Sequence, residues 1–220
     1  MIFVILLCYQ MRAQQNFTVL SYNIENAFDT IHDEGKDDFE YCAEGERKWN
    51  MGRLYKKLKG VGKVIAAADE ERPVDLIGLC EVENDSVMTY LTQRTSLRNM
   101  GYQYLMTHSN DERGIDVALL YSPFTFHLIE KQDIRVFFKK QTTRDVLRAT
   151  GTINNGDTLD VYVLHLPSRR GGAEARDLSI RVIEFLSENI DSIRLFRRSP
   201  NIIVMGDFNA ENNSKQIKYL

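Results

Sequence analysis

The chain has 220 residues, of which 43% are hydrophobic and four are proline, so it is long enough for one globular domain with a substantial core. Its formal net charge of −3 argues against a protein that holds nucleic acid mainly through a basic surface. The three cysteines lie far apart in the sequence, which indicates neither a disulfide framework nor a zinc site.

The N-terminus begins with an apolar run from Ile2 to Tyr9, which is followed by polar residues and Ala13. This pattern resembles the hydrophobic region and cleavage side of a secretory signal, with no Lys or Arg before it; a buried first strand is the alternative. The run is too short to span a bilayer, and no other segment qualifies. We expect residues 1–15 to be a signal peptide, residues 16–220 to be one domain, and the protein to be secreted or periplasmic.

The next segments predict a strand, a loop, a helix and a second strand. Alternating residues from Phe17 predict a strand that ends at Asn23. Between Glu25 and Glu46, nine acidic residues face the single basic Lys36, and we expect a solvated loop there, with a metal-attracting loop as the alternative. Helical spacing follows in Leu54, Leu58, Val61, Ile65 and Ala68, and the segment "DLIGLCE" then predicts a buried strand ending in Glu81.

The second half of the chain alternates helices with paired strands. A helix is predicted from Ser86 to Arg98, followed by short strands in "YQYLM", "DVALLYS" and "FTFHLIE". Asn155-Gly156 between two alternating runs predicts a β-hairpin. A helix is predicted over Ala173 to Arg197, before the strand "NIIVM". Hairpins together with helices predict a layered α/β fold with mixed sheets.

Polar residues follow three of the predicted strands. Asn23, Glu81, and the pair Asp207 and Asn209 offer carboxylate and amide oxygens, which suit magnesium, calcium or manganese. Each residue also has an ordinary alternative role, as a helix cap, a turn residue or a surface ion-pair partner. If the strand ends meet, they predict a site for a hard cation.

His165 ends the apolar run "VYVLHLPS" and is either a core residue or a functional acid, base or phosphate ligand. The following "SRRGG" contains Arg169 and Arg170, which are able to pair with phosphate oxygens. A serine hydrolase is disfavoured because the chain has no G-x-S-x-G elbow.

Five segments, in this order, resemble the endonuclease/exonuclease/phosphatase family: "LSYNIEN", "DLIGLCEVEN", "GIDVALLYS", "VLHLPS" and "VMGDFNA". The resemblance runs from about Phe17 to Asn212. It implies an α/β four-layer sandwich, in which two mixed β-sheets pack face to face with helices outside.

The resemblance also implies a role for each matching residue. Asn23, Glu81 and Asp207 would bind the metal, with Mg²⁺ expected and Mn²⁺ or Ca²⁺ as alternatives. His165, Asp207 and Asn209 would be catalytic, with Asp207 orienting or deprotonating the attacking water. Arg144 lies in a stretch similar to a phosphate-contacting strand of secreted deoxyribonucleases, so Arg144 and Arg169 are the candidate phosphate-binding residues.

Three features depart from the family pattern. No Ser-Asp-His motif follows Asn209, so we expect a C-terminally truncated chain that lacks its last strand, with poor stability and low activity. Glu25 and Glu83 stand where DNA-cutting members carry arginines, and acidic side chains there would repel a phosphate backbone. Ile115 replaces the tyrosine of abasic-site repair members.

We therefore expect metal-dependent hydrolysis of phosphodiester or phosphomonoester bonds, with a nuclease-like phosphodiesterase favoured. The substrate would be nucleic acid or a small phosphoester, and we expect a monomer. The alternatives are a phosphatase or sphingomyelinase-type member, a non-catalytic binding module on the same fold, and a calcium-binding domain built on the acidic loop.

Overall fold

The computed structural model describes residues 16–137, 143–211 and 214–218. The expected signal peptide lies outside them. The strands are Val19–Ala27 (β1), Leu76–Val82 (β2), Gln103–Met106 (β3), Asp116–Tyr121 (β4), Phe126–Ile134 (β5), Val146–Ile153 (β6), Thr158–His165 (β7) and Asn201–Asp207 (β8). The helices are Met51–Ala66 (α1), Asp85–Arg94 (α2), Gly172–Phe196 (α3) and Lys215–Lys218 (α4). Among these helices, none combines the length and apolar character needed to cross a membrane.

The strands form two four-stranded sheets, in the orders β1-β2-β4-β3 and β5-β6-β7-β8. In each sheet one pair is parallel, β1 with β2 and β7 with β8, and the other pairs are antiparallel. The mixed sheets predicted from the sequence are therefore confirmed. The β6–β7 hairpin turns at Asn155-Gly156 as predicted, and Gly156 has the positive φ of 87° that such a turn requires.

Three apolar clusters show the layering. One lies between the first sheet and helices α1 and α2, and includes Leu58, Ile77 and Leu91. A second, which includes Leu119 and Val161, lies between the two sheets. The third joins α3 to the outer face of the second sheet. This arrangement confirms the four-layer α/β sandwich.

One difference from the predicted elements lies after α2. The helix predicted from Ser86 to Arg98 ends at Arg94, and a separate 3-10 turn spans Ser96–Asn99. Thr95 interrupts the helix with extended backbone angles, and its hydroxyl oxygen accepts a hydrogen bond from the Leu97 N–H at 3.2 Å. A side chain that caps a new turn thus replaces the helical hydrogen bond, which apolar spacing does not reveal.

The fold brings the carboxyl-terminal parts of four strands together. The predicted end of the first strand at Asn23 is wrong, because β1 continues to Ala27 after a shift in its register with β2. Asn23 pairs with Cys80 in the β1–β2 register, and His165 pairs with Asp207 in the β7–β8 register. The edge strands β1 and β8 of the two sheets meet where the Gly206 N–H donates to the Ser21 hydroxyl oxygen at 3.1 Å. The carboxyl ends of both parallel pairs consequently lie at one end of the sandwich.

Candidate active site

Two carboxylates converge on one amide group at the strand ends. The Asn23 Nδ2 atom donates to Glu81 Oε1 at 3.1 Å and to Asp207 Oδ2 at 3.0 Å. The Asn23 Oδ1 atom accepts from the Glu25 N–H at 2.9 Å, so in this arrangement Asn23 aligns the two carboxylates. The structure therefore unites the three residues predicted to bind metal, while a direct metal bond from Asn23 remains a prediction.

Glu81 is held in an unusual backbone conformation. Its φ is +65°, a value that side-chain-bearing residues seldom adopt, and it coincides with a break in the strand register after Cys80. The Glu81 Oε2 atom accepts from the Asn26 N–H at 2.8 Å. Together with the Asn23 contact, this bond fixes the carboxylate towards the cleft.

His165 lies beside both carboxylates. Its Nε2 atom is 3.9 Å from Glu81 Oε1 and 3.9 Å from Asp207 Oδ2, and its buried Nδ1 atom has no hydrogen-bond partner among the described residues. Burial and the nearby Arg144 guanidinium lower the pKa of His165 to about 4. The imidazole is thus neutral at pH 7.

Asp207 and Asn209 both line the cleft, and a turn places Asn209 there. β8 ends at Asp207, and Asn209 lies beyond it with a φ of +44°, outside the extended range. The Asn209 N–H donates to Asp207 Oδ1 at 2.9 Å, and its Nδ2 atom donates to the Leu166 carbonyl at 2.9 Å. A turn closed by the Asp207 side chain therefore replaces the strand.

The two predicted phosphate-binding arginines have different positions. Arg144 lines the cleft, with its side chain 10% exposed, and its Nη2 atom is 3.5 Å from Asp111 Oδ2. Arg169 is exposed and pairs with Glu211 at 2.7 Å, beside a neighbouring depression. Its neighbour Arg170 lines the cleft. The structure thus brings Arg144 to the carboxylates and leaves Arg169 apart from them.

The cleft has a volume of about 350 Å³, and several residues that line it were not predicted as site residues. They come from the end of β1, from the loop after it, from the segment before β4 and from the turn after β7: Asn26, Tyr41, Arg47, Arg113 and Ser168. For Tyr41 and Arg47, the feature of the sequence that could have indicated a role in the site is their position within and just after the acidic run. A loop conformation was needed to aim them inward.

The acidic loop does not contribute its carboxylates to the Glu81 and Asp207 pair. Instead, ligand atoms of Asp33, Asp38 and Glu83 lie within 4.8 Å of one another. The Asp33 N–H donates to Asp38 Oδ2 at 2.8 Å and the Asp29 N–H donates to Glu83 Oε2 at 2.6 Å. The Asp38 and Glu83 carboxylates thus shape the loop by accepting backbone hydrogen bonds.

The structure also shows where the residues that depart from the family pattern lie, namely Glu25, Glu83 and Ile115. Glu83 is only 5% exposed, and burial raises its pKa to about 8. The expected repulsion of a phosphate backbone by Glu83 is therefore wrong, because the side chain does not face solvent; Glu25 is exposed. Ile115 is fully buried and packs with Phe28 and Tyr41 below the cleft.

The donor set fits a hard divalent cation. Two carboxylate oxygens share one amide N–H₂ group, and the neutral His165 imidazole between them supplies no positive charge. Oxygen donors of this kind suit Mg²⁺, Mn²⁺ or Ca²⁺, and a cation there would relieve the repulsion between Glu81 and Asp207.

Solved structures with the same architecture include the human Nocturnin catalytic domain, at 21% identity and a TM-score of 0.63, over 92% of this chain and 68% of that one. A mannosyl-6-phosphatase of Bacteroides thetaiotaomicron has 17% identity and a TM-score of 0.66, over 93% and 69%. ANGEL2, a 2′,3′-cyclic phosphatase, has 19% identity and a TM-score of 0.66, over 92% and 56%. At these identities the likeness shows a shared fold.

Curated protein sequences give no match to this chain. The model of the endonuclease/exonuclease/phosphatase family matches residues 18–219, from the first strand to the last described helix. The match spans every strand that carries a candidate site residue. The chain therefore belongs to the endonuclease/exonuclease/phosphatase family.

Proposed function

We propose that this protein hydrolyses phosphoesters with the help of a divalent metal ion. The observation that carries the proposal is the convergence of Glu81 and Asp207 on the Asn23 amide, next to His165 and Arg144. Solved neighbours with the same fold include a mannosyl-6-phosphatase and a 2′,3′-cyclic phosphatase, which supports phosphoester hydrolysis as the reaction class.

Each site residue has a proposed role that follows from its chemistry. Glu81 and Asp207 would hold the metal, which would neutralise charge on the phosphoryl oxygens when bound. The Asp207 carboxylate would also orient a water molecule for in-line attack, while Asn209 fixes Asp207 through its backbone N–H. Arg144 would pair with a phosphoryl oxygen, and the His165 Nε2 atom would donate a hydrogen bond to another.

Two classes of substrate are considered. The sequence favours a nuclease-like phosphodiesterase, whereas the volume of about 350 Å³ and the arginine lining favour a small phosphoester. We propose a small phosphoester as the second candidate. Assays with plasmid DNA, bis-p-nitrophenyl phosphate and p-nitrophenyl phosphate in Mg²⁺ or Mn²⁺ separate a nuclease, a phosphodiesterase and a phosphatase.

The first test is removal of the metal-binding carboxylates. Glu81→Gln and Asp207→Asn should each lower metal-dependent hydrolysis at least 100-fold and abolish the rise in melting temperature on adding Mn²⁺. Asp191→Asn, on the exposed face of α3, is the matched control and should change neither quantity. Undiminished hydrolysis in both carboxylate variants would refute the assignment, and ligand binding without any turnover would favour the binding module.

Export and a monomeric state are also proposed. Export rests on the apolar run from Ile2 to Tyr9 and the polar residues that follow it, and N-terminal sequencing of protein recovered from a bacterial periplasm would show whether residues 1–15 are removed. Light scattering would establish the mass in solution.

A further inference from the structure

Four side chains form a continuous stack on one wall of the cleft. The Arg113 guanidinium carbon lies 6.0 Å from the Phe28 ring centroid, and Phe28 stacks on Tyr41 with centroids 4.0 Å apart. The Arg47 guanidinium carbon lies 4.8 Å from the Tyr41 ring centroid. Trp49 packs edge-on against Tyr41 at 6.0 Å, and its indole N–H donates to the Phe28 carbonyl at 2.9 Å. The stack holds two guanidinium groups at fixed positions.

The Tyr41 hydroxyl is an unpaired donor at this wall. Tyr41 is 4% exposed and lines the cleft, yet its hydroxyl oxygen has no hydrogen-bond partner among the described residues. A buried hydroxyl without a hydrogen-bond partner is energetically unfavourable. Burial raises the pKa of Tyr41, so the group stays protonated and able to donate near neutral pH. An acceptor atom of a ligand would satisfy it.

Arg113 is also available for an anion. Its Nη2 atom donates to Asn26 Oδ1. Among the described residues, no ion pair includes Arg113. Arg47 pairs with Glu40, which also lines the cleft, at 3.0 Å, but their side chains are 51% and 37% exposed, so this pair is weak. Asn26 also donates its backbone N–H to the Glu81 carboxylate. Asn26 therefore links Arg113 to Glu81 through two hydrogen bonds.

The cleft therefore contains more cationic side chains than one phosphoryl group needs. Arg144 lies with His165 at the carboxylates, while Arg47 and Arg113 belong to the separate stack with Tyr41. We propose that Tyr41, Arg47 and Arg113 form an anion subsite beside the metal-binding residues, and that it receives a second phosphoryl group of the substrate. This proposal rests on the proposed hydrolytic function for its biological use but not for its test.

The first experiment needs no metal and no turnover. Trp49 is the only tryptophan in the chain and packs on Tyr41, so its fluorescence reports on the subsite. Titration with inorganic phosphate in EDTA should give a saturable change in the wild-type protein and in Asp207→Asn. Tyr41→Phe, which keeps the ring and the stack, and Arg113→Gln should each weaken phosphate binding at least fivefold. Arg194→Gln, on the outer helix α3, is the matched arginine control and should bind like the wild type.

The second experiment tests the demand for two anionic groups. The probes are propane-1,3-diphosphonate and propylphosphonate, neither of which has a hydrolysable bond. In Mn²⁺, the diphosphonate should bind the wild-type protein at least tenfold more tightly than the monophosphonate. In Arg113→Gln, the two affinities should lie within about threefold of each other. The absence of saturable phosphate binding in EDTA, unchanged affinity in Tyr41→Phe and Arg113→Gln, or equal affinity for both probes in the wild type would overturn the proposal. Failure of hydrolysis alone would leave these binding results unchanged and would count against the catalytic function only.

Discussion

Gly206 sets the position of Asp207, because no other residue type fits the backbone there. Its φ is +129°, and a Cβ atom would lie 1.9 Å from the Leu164 carbonyl oxygen of the neighbouring strand. Gly206→Ala should therefore destabilise the protein by more than about 3 kcal/mol, since both backbone strain and a backbone clash must be relieved. Chemical denaturation measures the loss.

The matched control for this substitution is Gly156→Ala. Gly156 also has a positive φ, of 87°, but an added Cβ atom would meet nothing within 4 Å. The conformational cost alone should be about 1–2 kcal/mol. If the two variants lost equal stability, the close approach to Leu164 would not be what requires glycine at position 206.

At the residue scale, sequence patterns located the strand-end polar residues but not the loop residues. Asn23, Glu81 and Asp207 follow apolar strands, and strand order in a sandwich brings such ends together. Tyr41 and Arg113 lie in irregular segments, whose direction depends on loop contacts such as the Trp49 to Phe28 hydrogen bond. No periodicity encodes these contacts, so the anion subsite required the structure.

At the element scale, one buried carboxylate ties together two strands and the end of a helix. Asp160 on β7 is fully buried and accepts from Arg148 Nη2 at 2.9 Å, from the Thr150 hydroxyl at 2.7 Å and from Arg197 just after α3. Asp160→Asn would leave two arginines facing a neutral group in the interior. Breaking such a buried pair costs about 3–5 kcal/mol, and we expect a loss of this size in urea denaturation.

Asp157→Asn provides the control for Asp160, because it lies in the same hairpin with its carboxylate in an exposed contact with Asn155. Its effect should stay within about 0.5 kcal/mol. A similar loss in both variants would mean that the hairpin turn, and not the buried ion network, limits the stability of these elements.

Elements with strong periodicity were predicted well. The helix expected over Ala173 to Arg197 is Gly172–Phe196, and the hairpin at Asn155-Gly156 has the expected antiparallel strands. Ends set by side-chain hydrogen bonds were predicted less well, as at Thr95. The parallel β1–β2 and β7–β8 pairs join strands distant in sequence, so their register depends on tertiary packing and not on local pattern.

At the scale of the whole molecule, the site depends on how closely the two sheets pack. Gly78 on β2 faces Met205 on β8, and a Cβ atom at Gly78 would lie 2.9 Å from the Met205 sulfur and 3.0 Å from its Cγ. Gly78 lies three residues before Glu81, and Met205 lies two residues before Asp207. The contact that spaces the sheets therefore also spaces the two carboxylates proposed to bind metal.

This coupling predicts a specific pattern in a double-mutant cycle. Gly78→Val should destabilise the protein by about 1–3 kcal/mol through overpacking, and Met205→Ala by about 2–5 kcal/mol through a cavity. Because the valine would fill part of the space left by the methionine, the double variant should lose less stability than the sum, with a coupling of about 0.5–3 kcal/mol. The rise in melting temperature on adding Mn²⁺ should fall in Gly78→Val and recover in the double variant.

Overpacking elsewhere distinguishes this effect from general instability. Gly62 on α1 faces Thr95 in the outer layer, with 2.5 Å from its would-be Cβ to the Thr95 hydroxyl oxygen. Gly62→Val should lower stability by a similar amount but leave the Mn²⁺ response intact, because the spacing between the sheets is unchanged. If Gly62→Val weakened the metal response as much as Gly78→Val, the metal site would respond to overall stability, and sheet spacing would not be what positions Glu81 against Asp207.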